Sequence, residues 1–524
     1  MPIESEHAKY STPLRSLMAL LIILISLIAL WFLHFGGITI FQPILDFYLT
    51  IGVMNLSLYV WLLGFSGFRL KSQWWFGLAI VTVQLAIFSA FRFDGFDGTG
   101  RFIAKWRWTQ TPEQQVEEFR TASSIRSRSD VVLTQLPSAG EFDSPAFRGV
   151  KRDSVYEFPN AEVNFASCEI KEIWRRPIGR GWSSFSAIGE FCFTQEQIGN
   201  KELVVCYSLF NGELVWSQER VVRFEEFTSG SGPRATPALH NGNVISLGAT
   251  GWLQCLEGAG GEVVWESNLC SQQKDVILFG FASSPLIIED TGYVSIGNPN
   301  PSIVAFDVAT GRTKWSMDDR KAGYSSPQPF QHSAGTSILI FDAVGLHAYD
   351  SGTGLRQWSF DWGDNSDEQV NVCQPVVLNQ NQIMISSGYG RGTCLLEVAQ
   401  NDGDWSVKQI WKTKRLKSKF ASIVTRNGFA YGLDEGILTC IDIKTGQRKW
   451  KQGRFGHGQL IRCGDALLIQ CESGDLAIVA ADSERFVQLQ RIEALADRTW
   501  NYPVLVGEYI LMRNDREAVC MKIN

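Results

Sequence analysis

Hydrophobic residues follow two patterns along this chain: long continuous runs near the N-terminus, then short alternating runs. The first long run, residues 16–35, reads SLMALLIILISLIALWFLHF and has the roughly 20 apolar residues that a bilayer-spanning helix needs. Two further runs cover residues 44–64 and 74–91. The pattern predicts three transmembrane helices after a cytoplasmic tail of residues 1–15. A cleaved signal peptide is disfavoured, because no small-residue cleavage site follows the first run.

Basic residues that flank the predicted helices set their orientation. Lys9 and Arg15 precede the first helix, and Arg69 and Lys71 lie between the second and the third. Because Lys and Arg collect on the cytoplasmic side, this predicts an integral membrane protein with its N-terminus in the cytoplasm and everything after residue 91 on the other side of the membrane. Four basic residues directly after the third helix argue the other way: Arg92, Arg101, Lys105 and Arg107. Their weight is reduced because a large translocated domain follows.

Residues 92–163 lack a sustained apolar period and are predicted to form a linker. A short helix is expected within it, at residues 112–120. The stretch at 101–108, RFIAKWRW, combines cations with indoles. It either lies on lipid headgroups or packs against the domain that follows.

A turn motif recurs through the rest of the chain, with a glycine four residues before a tryptophan. The clean copies are FNGELVW, AGGEVVW, ATGRTKW, GTGLRQW and KTGQRKW, with glycine at Gly212, Gly261, Gly311, Gly354 and Gly446. Such a glycine supplies the positive φ of a tight hairpin turn, so the tryptophan takes a fixed place on the next strand. A looser copy ends at Trp411, and a degenerate one at residues 482–492 has lost both residues.

The tryptophans of the repeat lie about 40–50 residues apart, the length of a four-stranded propeller blade. Each is expected to dock between adjacent blades: Trp174, Trp216, Trp265, Trp315, Trp358, Trp411 and Trp450. The chain ends on strands that lack a final Trp strand, whereas CEIKEIW, residues 168–174, is a Trp strand without a blade. Pairing the two closes the ring. The sequence therefore predicts an all-β fold, an eight-bladed β-propeller of residues 164–524.

Charge and cysteine content exclude several functions. The formal net charge of -6 gives no basic footprint for phosphates, so nucleic acid is not an expected partner. The eleven cysteines form no Cys-x-x-Cys pair, so no metal site is predicted. Cys206, Cys255 and Cys440 share one repeat position, where core packing is the favoured interpretation.

Two copies of the turn motif, DVATGRTKW and DIKTGQRKW, resemble the tryptophan-docking motif of PQQ-like propellers, a family that spans quinoprotein alcohol dehydrogenases and BamB. AFRGVKRDSV, WRRPIGRGWSSF, GPRATP and GRFGHGQL also look like a membrane-tethered PQQ-like group from planctomycete-type bacteria. The resemblance implies the fold. It does not imply the function, since members with and without quinone share this scaffold.

Quinoprotein dehydrogenases usually carry an adjacent cysteine pair, a calcium ion held by Glu and Asn, and a catalytic Asp. In this chain no two cysteines are adjacent, and no catalytic residue is identified by motif. PQQ with calcium is therefore the expected cofactor only under the enzyme hypothesis.

A second repeat marks the innermost strand of each blade, as in RATPAL and YSSPQP. The residue three positions before the proline is equivalent in all blades and is expected to ring one mouth of the channel. Six aromatic or cationic residues hold this position and are the candidate ligand-binding residues: Trp182, Arg234, Tyr324, Lys419, His457 and Trp500. The alternative is that they are ordinary turn residues bonded to neighbouring blades.

The favoured function is a membrane-anchored binding or assembly scaffold for an envelope protein or ligand, because no catalytic set is recognised. The alternative is a PQQ-dependent dehydrogenase of alcohols or sugars. A sensor is a third hypothesis, but the few cytoplasmic residues offer no output module.

Overall fold

The computed structural model describes residues 52–53, 55–61, 70–126, 135–159, 163–270, 272, 275–297, 299–362 and 370–524. It divides into two compact units, residues 1–110 and 111–524. The predicted helix at 16–35 lies outside the described residues, as does most of the one at 44–64, of which residues 55–61 are helical.

Helix α1 (Leu70–Ala90) corresponds to the third predicted transmembrane helix. In the described part of the chain it is the one helix long and apolar enough to cross a membrane. Trp74 and Trp75 near its start are both 72% exposed. The Gln84 amide of α1 donates to Asn55 Oδ1, and the Tyr59 hydroxyl donates to Gln84 Oε1 at 3.2 Å. Polar pairs of this kind join apolar helices.

A hairpin of β1 (Phe91–Phe96) and β2 (Phe102–Trp106) follows α1 without a break. Arg107, directly after the hairpin, donates to the Phe88 and Phe91 carbonyls at the end of α1. Trp106 and Trp108 stack with ring centroids 6.0 Å apart, and both are exposed.

The second unit begins with α2 (Pro112–Arg126), longer than the helix predicted at 112–120. Two short strands, β3 (Val155–Tyr156) and β4 (Ile170–Pro177), precede the blades. Glu113 of α2 forms a 2.9 Å ion pair with Arg180. Arg176 of β4 lies over Phe119 of α2. Helix α2 thus packs on the propeller.

Eight antiparallel blades of four strands each form the propeller, and in blade 7 the strand β3 adds a fifth, parallel strand at the inner edge. Blade 1 is β5 (Ser186–Ile188), β6 (Phe191–Ile198), β7 (Lys201–Ser208) and β8 (Leu214–Val221). A small hairpin, β9 (Glu225–Glu226) and β10 (Gly230–Ser231), leads to blade 2. Blade 2 is β11 (Ala238–His240), β12 (Asn243–Leu247), β13 (Trp252–Glu257) and β14 (Val263–Asn268). Blade 3 is β15 (Leu286–Ile288), β16 (Thr291–Ser295), β17 (Ile303–Asp307) and β18 (Thr313–Met317).

Blade 4 is β19 (Gln328–His332), β20 (Gly335–Phe341), β21 (Gly345–Asp350) and β22 (Arg356–Asp361). Blade 5 is β23 (Val376–Asn379), β24 (Gln382–Ser387), β25 (Gly392–Asn401) and β26 (Asp404–Thr413). Blade 6 is β27 (Val424–Arg426), β28 (Phe429–Asp434), β29 (Ile437–Asp442) and β30 (Arg448–Arg454). Blade 7 is β31 (Gln459–Cys463), β32 (Ala466–Gln470), β33 (Leu476–Ala480) and β34 (Gln488–Ile492).

Blade 8 joins both ends of the propeller sequence. It consists of β35 (Val504–Val506), β36 (Tyr509–Arg513) and β37 (Glu517–Ile523), and its outer strand is β4. Trp174 of β4 pairs in register with Cys520 of β37. The predicted eight-bladed propeller, including its closure, is confirmed.

The docking tryptophans link each blade to the next one. Trp216 of blade 1 donates from Nε1 to the Gly258 carbonyl of blade 2 at 2.9 Å. A Cβ added at Gly261 would lie 2.5 Å from Cε3 of Trp216, so the turn glycine leaves the indole its place. Across the sheet, Trp216 faces Cys206, a buried small residue. Five other indoles also donate to a carbonyl of the next blade: Trp174, Trp265, Trp315, Trp411 and Trp450.

Two blade junctions depart from this arrangement. Trp358 faces blade 5, whose turn is lengthened, and its buried Nε1 has no acceptor among the described residues. In blade 7 the degenerate repeat puts Gln490 opposite Ile478, at the tryptophan position. The Gln490 amide donates to the carbonyls of Phe165 and Cys168, each at 2.9 Å. A glutamine thus takes over the cross-blade hydrogen bond of the missing indole.

A part of the predicted linker lies inside the ring of inner strands. We call residues 144–156 the channel segment. Ser144 and Ala187 of blade 1 exchange backbone hydrogen bonds of 3.0 and 2.8 Å. The Leu239 N–H of blade 2 donates to the residue 145 carbonyl, and β3 pairs in parallel with β31 of blade 7. The segment therefore joins blades 1, 2 and 7 from inside the ring.

Candidate functional site

The six candidate residues each directly precede an inner strand, so they lie at the same end of the propeller. We call this set the mouth ring: Trp182, Arg234, Tyr324, Lys419, His457 and Trp500. Contacts of the channel segment are made further along the inner strands, at Ala187, Leu239 and Arg462. The mouth ring and the channel segment are thus stacked along the channel.

Trp182 and Trp500 meet where the last blade adjoins the first. Their ring centroids are 4.8 Å apart. The guanidinium of Arg498 lies 5.0 Å from the Trp182 centroid and 4.6 Å from the Trp500 centroid. Arg498 is buried, and Asp515 lies 3.7 Å from its Nη2. A cation held against two indole rings in this way is favourable to all three groups.

Phe420 extends this pair to two more members of the mouth ring. Its ring lies 5.5 Å from that of Trp500 and 5.7 Å from that of His457. The Lys419 ammonium lies 5.0 Å from the Phe420 ring and 4.9 Å from the Tyr389 ring. Four mouth-ring residues therefore belong to one continuous cluster of aromatic and cationic groups.

The Glu472 carboxylate holds part of this cluster in position. Its Oε1 accepts from Trp500 Nε1 at 2.8 Å, and its Oε2 accepts from the His457 N–H at 2.9 Å. The indole therefore presents its face to the mouth while its N–H is bonded.

Arg234 joins the cluster through the turn between β9 and β10. Its Nη2 donates to Ser229 Oγ at 2.9 Å and to the Gly230 carbonyl at 2.8 Å. Trp182 Nε1 donates to the Ser229 carbonyl at 2.8 Å. The guanidinium lies 4.6 Å from the Phe224 ring, and burial lowers the pKa of Arg234 to about 10.

Tyr324 stands apart from the other five. Its ring packs edge-on against Phe279 at 5.4 Å, and its hydroxyl accepts from the Phe279 N–H at 3.4 Å. Burial raises the pKa of Tyr324 to about 12, and the charge of Arg234 opposes that shift in part. The two side chains thus interact electrostatically without a hydrogen bond between them.

Sequence reasoning missed three members of the cluster: Arg498, Phe420 and Tyr389. Arg498 lies two residues before Trp500, so strand alternation could have put it on the same face. Phe420 directly follows Lys419, but the alignment to the proline position, which blade 6 lacks, gave no reason to choose it. Tyr389 follows β24 and carries no repeat signal.

A belt of polar side chains lies two residues below the mouth ring. The Ser184 N–H of blade 1 donates to Thr236 Oγ1 of blade 2 at 3.0 Å. The Thr236 N–H in turn donates to Ser284 Oγ of blade 3 at 2.9 Å. Ser284 and Ser326 continue the belt through blades 4 and 5. The repeated Ser, Thr or Gln before the strand proline therefore joins neighbouring blades.

A calcium-bound quinone would require metal-ligating side chains close together among the described residues. Within them, no three His, Cys, Asp or Glu side chains are grouped as metal ligands. All eleven cysteines are free, and ten of them are buried. The chain lacks the adjacent cysteine pair of the quinoprotein dehydrogenases, and no quinone-dependent step is assigned.

A family model described as outer membrane protein assembly factor BamB matches residues 200–452. BamB of Moranella endobia (strain PCIT) is 22% identical over 331 residues, covering 59% of this chain and 78% of its own length. BamB of Burkholderia pseudomallei (strain K96243) is 22% identical over 366 residues, covering 66% and 85%.

Solved structures agree with these sequence matches. BamB from Moraxella catarrhalis superposes with a TM-score of 0.50 at 16% identity, covering 68% of this chain and all of that one. Quinohemoprotein alcohol dehydrogenase from Comamonas testosteroni gives a TM-score of 0.53 at 12% identity, covering 79% and 84%. At these identities the likeness shows the fold alone.

The fold and its turn motif define a PQQ-like β-propeller. Its repeat is of the BamB type, so the family recognised from the Gly–Trp spacing is confirmed. No comparison tests the resemblance to a planctomycete-type group, which stays a prediction.

Proposed function

We propose that this protein is an inner-membrane-anchored periplasmic β-propeller that serves as a binding or assembly scaffold for an envelope protein. The observation that carries the proposal is the cluster at the mouth, where Trp182, Trp500, His457 and Lys419 are joined through Phe420. The relatives described above are named as assembly factors, which is consistent with a scaffold.

The chemistry of the mouth ring suits a partner segment that carries aromatic and acidic side chains. Indole and phenyl faces offer stacking surfaces, and Lys419 and Arg234 add positive charge. Aromatic residues and arginine are the side chains that most often dominate protein interfaces.

Membrane anchoring is supported by the first unit. The apolar side of α1 is exposed along its length, and the hairpin that follows presents Trp106 and Trp108 beside basic residues. Indoles and cations of this kind favour the interface between lipid and water. Anchoring by α1 would hold the hairpin at that interface.

A PQQ-dependent dehydrogenase is the alternative. A solved alcohol dehydrogenase shares the fold, but its likeness gives no residue roles. Within the described residues no three His, Cys, Asp or Glu side chains form a metal-ligating group, and no two cysteines are adjacent in the sequence.

Site-specific photo-crosslinking in cells tests the scaffold. We would insert a photoreactive phenylalanine analogue at Tyr324 or Lys419 in the full-length, membrane-bound protein. The expected result is one discrete adduct with an envelope protein from both positions, identified by mass spectrometry. Leu355, 63% exposed on a turn between strands, is the control position and should not give that adduct.

Further measurements have outcomes that would contradict the proposal. Lys419→Glu should reduce the adduct formed at Tyr324 at least several-fold, because it reverses the charge of the mouth. An adduct of equal yield from Leu355 would contradict a mouth-specific partner. Dye-linked alcohol oxidation by membranes supplied with PQQ and calcium would replace the scaffold with the dehydrogenase.

A further inference from the structure

The channel segment carries two arginines that lie deep in the propeller, Arg148 and Arg152, each 3% exposed. Arg152 reaches blade 3, where Nη1 donates to the Pro285 carbonyl at 2.9 Å and Nη2 to the Ser284 carbonyl at 3.1 Å. Arg148 Nε donates to Ser154 Oγ at 2.9 Å. Both guanidinium groups are therefore enclosed by protein.

Some of their N–H groups have no acceptor. In the described part of the chain, Arg148 Nη1 and Arg152 Nε are buried without a hydrogen-bond partner. Arg513 is a useful contrast within the same propeller, because it is also fully buried. Its Nη1 donates to Thr194 Oγ1 and the Gln195 carbonyl, and its Nε and Nη2 also have oxygen acceptors. Arg513 is thus saturated, whereas Arg148 and Arg152 each keep a buried N–H without an acceptor, as the buried Arg176 does at Nε.

The pair has no carboxylate in direct contact. No ion pair joins either guanidinium to a carboxylate within the described residues. Asp153, between them in sequence, accepts from the Val155 N–H at 2.9 Å and acts on Arg148 only at longer range, where its charge raises the pKa of that arginine. Burial, with a smaller contribution from the charge of Arg148, lowers the pKa of Arg152 to about 9. Buried charges are normally paired, because desolvation is costly. Two buried cations that share one remote carboxylate therefore favour a further negative group beside them.

The backbone of the segment is held in a costly conformation. Arg148, Arg152 and Ser154 have φ values of 67°, 54° and 62°. Non-glycine residues rarely adopt this left-handed region, and such strain tends to collect at ligand sites. The channel segment has three such residues within seven positions, whereas the turns of the blades carry them singly.

We propose that Arg148 and Arg152 form a buried binding site for an oxyanion, the carboxylate or phosphate group of a small molecule that occupies the propeller channel. Guanidinium groups match such anions through paired N–H donors. The Tyr156 and Ser144 hydroxyls, 3.3 Å apart, share one hydrogen bond and leave one further O–H donor. The site is separate from the mouth ring and goes beyond the scaffold function.

Thermal unfolding of the full-length protein in detergent, at constant ionic strength, tests the site. Phosphate, sulfate and succinate should each be compared with chloride. A ligand that binds only the folded state raises Tm in a saturable way, by about 3 °C when it is in large excess over Kd. The phosphate and succinate arms separate a phosphate ligand from a carboxylate ligand. Equal Tm values in all four salts would overturn the proposal.

Variants locate the effect. Arg148→Gln and Arg152→Gln should abolish the saturable rise in Tm. Arg491→Gln should keep it, because Arg491 is a partly exposed arginine of β34 that pairs with Asp475. A rise that persists in both channel-segment variants would contradict the assignment.

A direct measurement covers the case in which those variants do not fold. Equilibrium dialysis of the wild-type protein with radiolabelled phosphate, and separately with radiolabelled succinate, should give one saturable site per chain for at least one anion. Arg148→Lys, which keeps the charge but loses the paired donors, should weaken that binding about tenfold or more. Absence of saturable binding of either anion would refute the site.

Discussion

The junction between blades 1 and 2 and the junctions around blade 8 solve the same packing problem in different ways. Between blades 1 and 2, the Trp216 indole rests on Gly261, and the buried Gln195 amide donates to the carbonyls of Ala235 and Leu247. Around blade 8 a buried glutamine recurs, and a buried arginine is added to it. Gln470 donates to the carbonyls of Asn501 and Arg513, and Arg513 donates onward to blade 1.

The difference follows from how each junction is covalently supported. A regular blade is one continuous run of chain, so its four strands form locally. Blade 8 is assembled from two distant pieces, and no turn ties its outer strand to the strand beside it. Extra buried hydrogen bonds at this point stabilise contacts that chain connectivity does not provide.

Removing the last strand of blade 8 should destabilise the propeller more than any other change considered for these junctions. Deleting residues 517–524 removes β37 and leaves β4 without its partner. We expect loss of cooperative unfolding by circular dichroism and rapid proteolysis of the propeller. Deleting only Asn524, which donates one backbone hydrogen bond to Glu169, is the control and should leave both properties almost unchanged.

The turn glycine of the regular junction should show the next largest effect. Gly261→Ala adds a methyl group against Trp216 at a φ of 83°, and should lower the free energy of unfolding by about 3 kcal/mol. Gly403→Ala, where φ is 93° but no atom lies within 4 Å, isolates the backbone strain and should cost about 1 kcal/mol. Denaturant titration measures both, and equal losses would contradict docking of the indole on the glycine.

A buried acid gives the junction of blades 1 and 2 a pH dependence. Glu202 accepts from the Ala249 N–H at 3.1 Å, and burial raises its pKa to about 7. Because the folded state holds the proton more tightly, this contribution is present below the unfolded pKa and is lost as pH rises to about 7. The loss is about 3 kcal/mol. Unfolding measured from pH 4.5 to 8 should show this slope, and Glu202→Gln should flatten it.

The smallest effect separates two tryptophans of the same repeat. Trp216→Phe removes a satisfied N–H and should cost about 1 kcal/mol more than the lost ring area alone. Trp358→Phe removes an N–H that has no acceptor in the described chain, so it should be less destabilising. Unfolding midpoints of the two variants measure this difference. A larger loss for Trp358→Phe would mean that its indole N–H is satisfied by a group such as water.

The propeller could be predicted because each blade repeats the same physical requirement. A turn glycine such as Gly261 and a docking tryptophan such as Trp216 recur from blade to blade. Their spacing in the sequence predicts both the length of a blade and the glycine on which each tryptophan packs. The role of Gln490 could not be predicted in the same way, because a glutamine on an edge strand can form hydrogen bonds with many groups other than the Phe165 carbonyl. Its role depends on a turn that only the closed ring brings near.

The mouth and the channel show where sequence reasoning ends. Strand equivalence identified Trp182 and Trp500, and the structure places them in contact. It gave no reason to choose Arg148, because the channel segment has no period. Its left-handed turns and backbone contacts depend on the surrounding blades. The channel segment is not part of the blade repeat, so the repeat pattern does not predict where its residues lie.

The pairing of β4 with β37 has a consequence for how the protein is made. Arg175 and Glu517, which form an ion pair across this closure, are 342 residues apart along the chain. The edge of β4 must therefore stay unpaired until the ribosome has synthesised β37. Such long-range pairing folds slowly and leaves strand edges open to wrong partners. Ring closure thus depends on residues 517–523, and a stop codon before residue 517 would leave seven blades with an open gap.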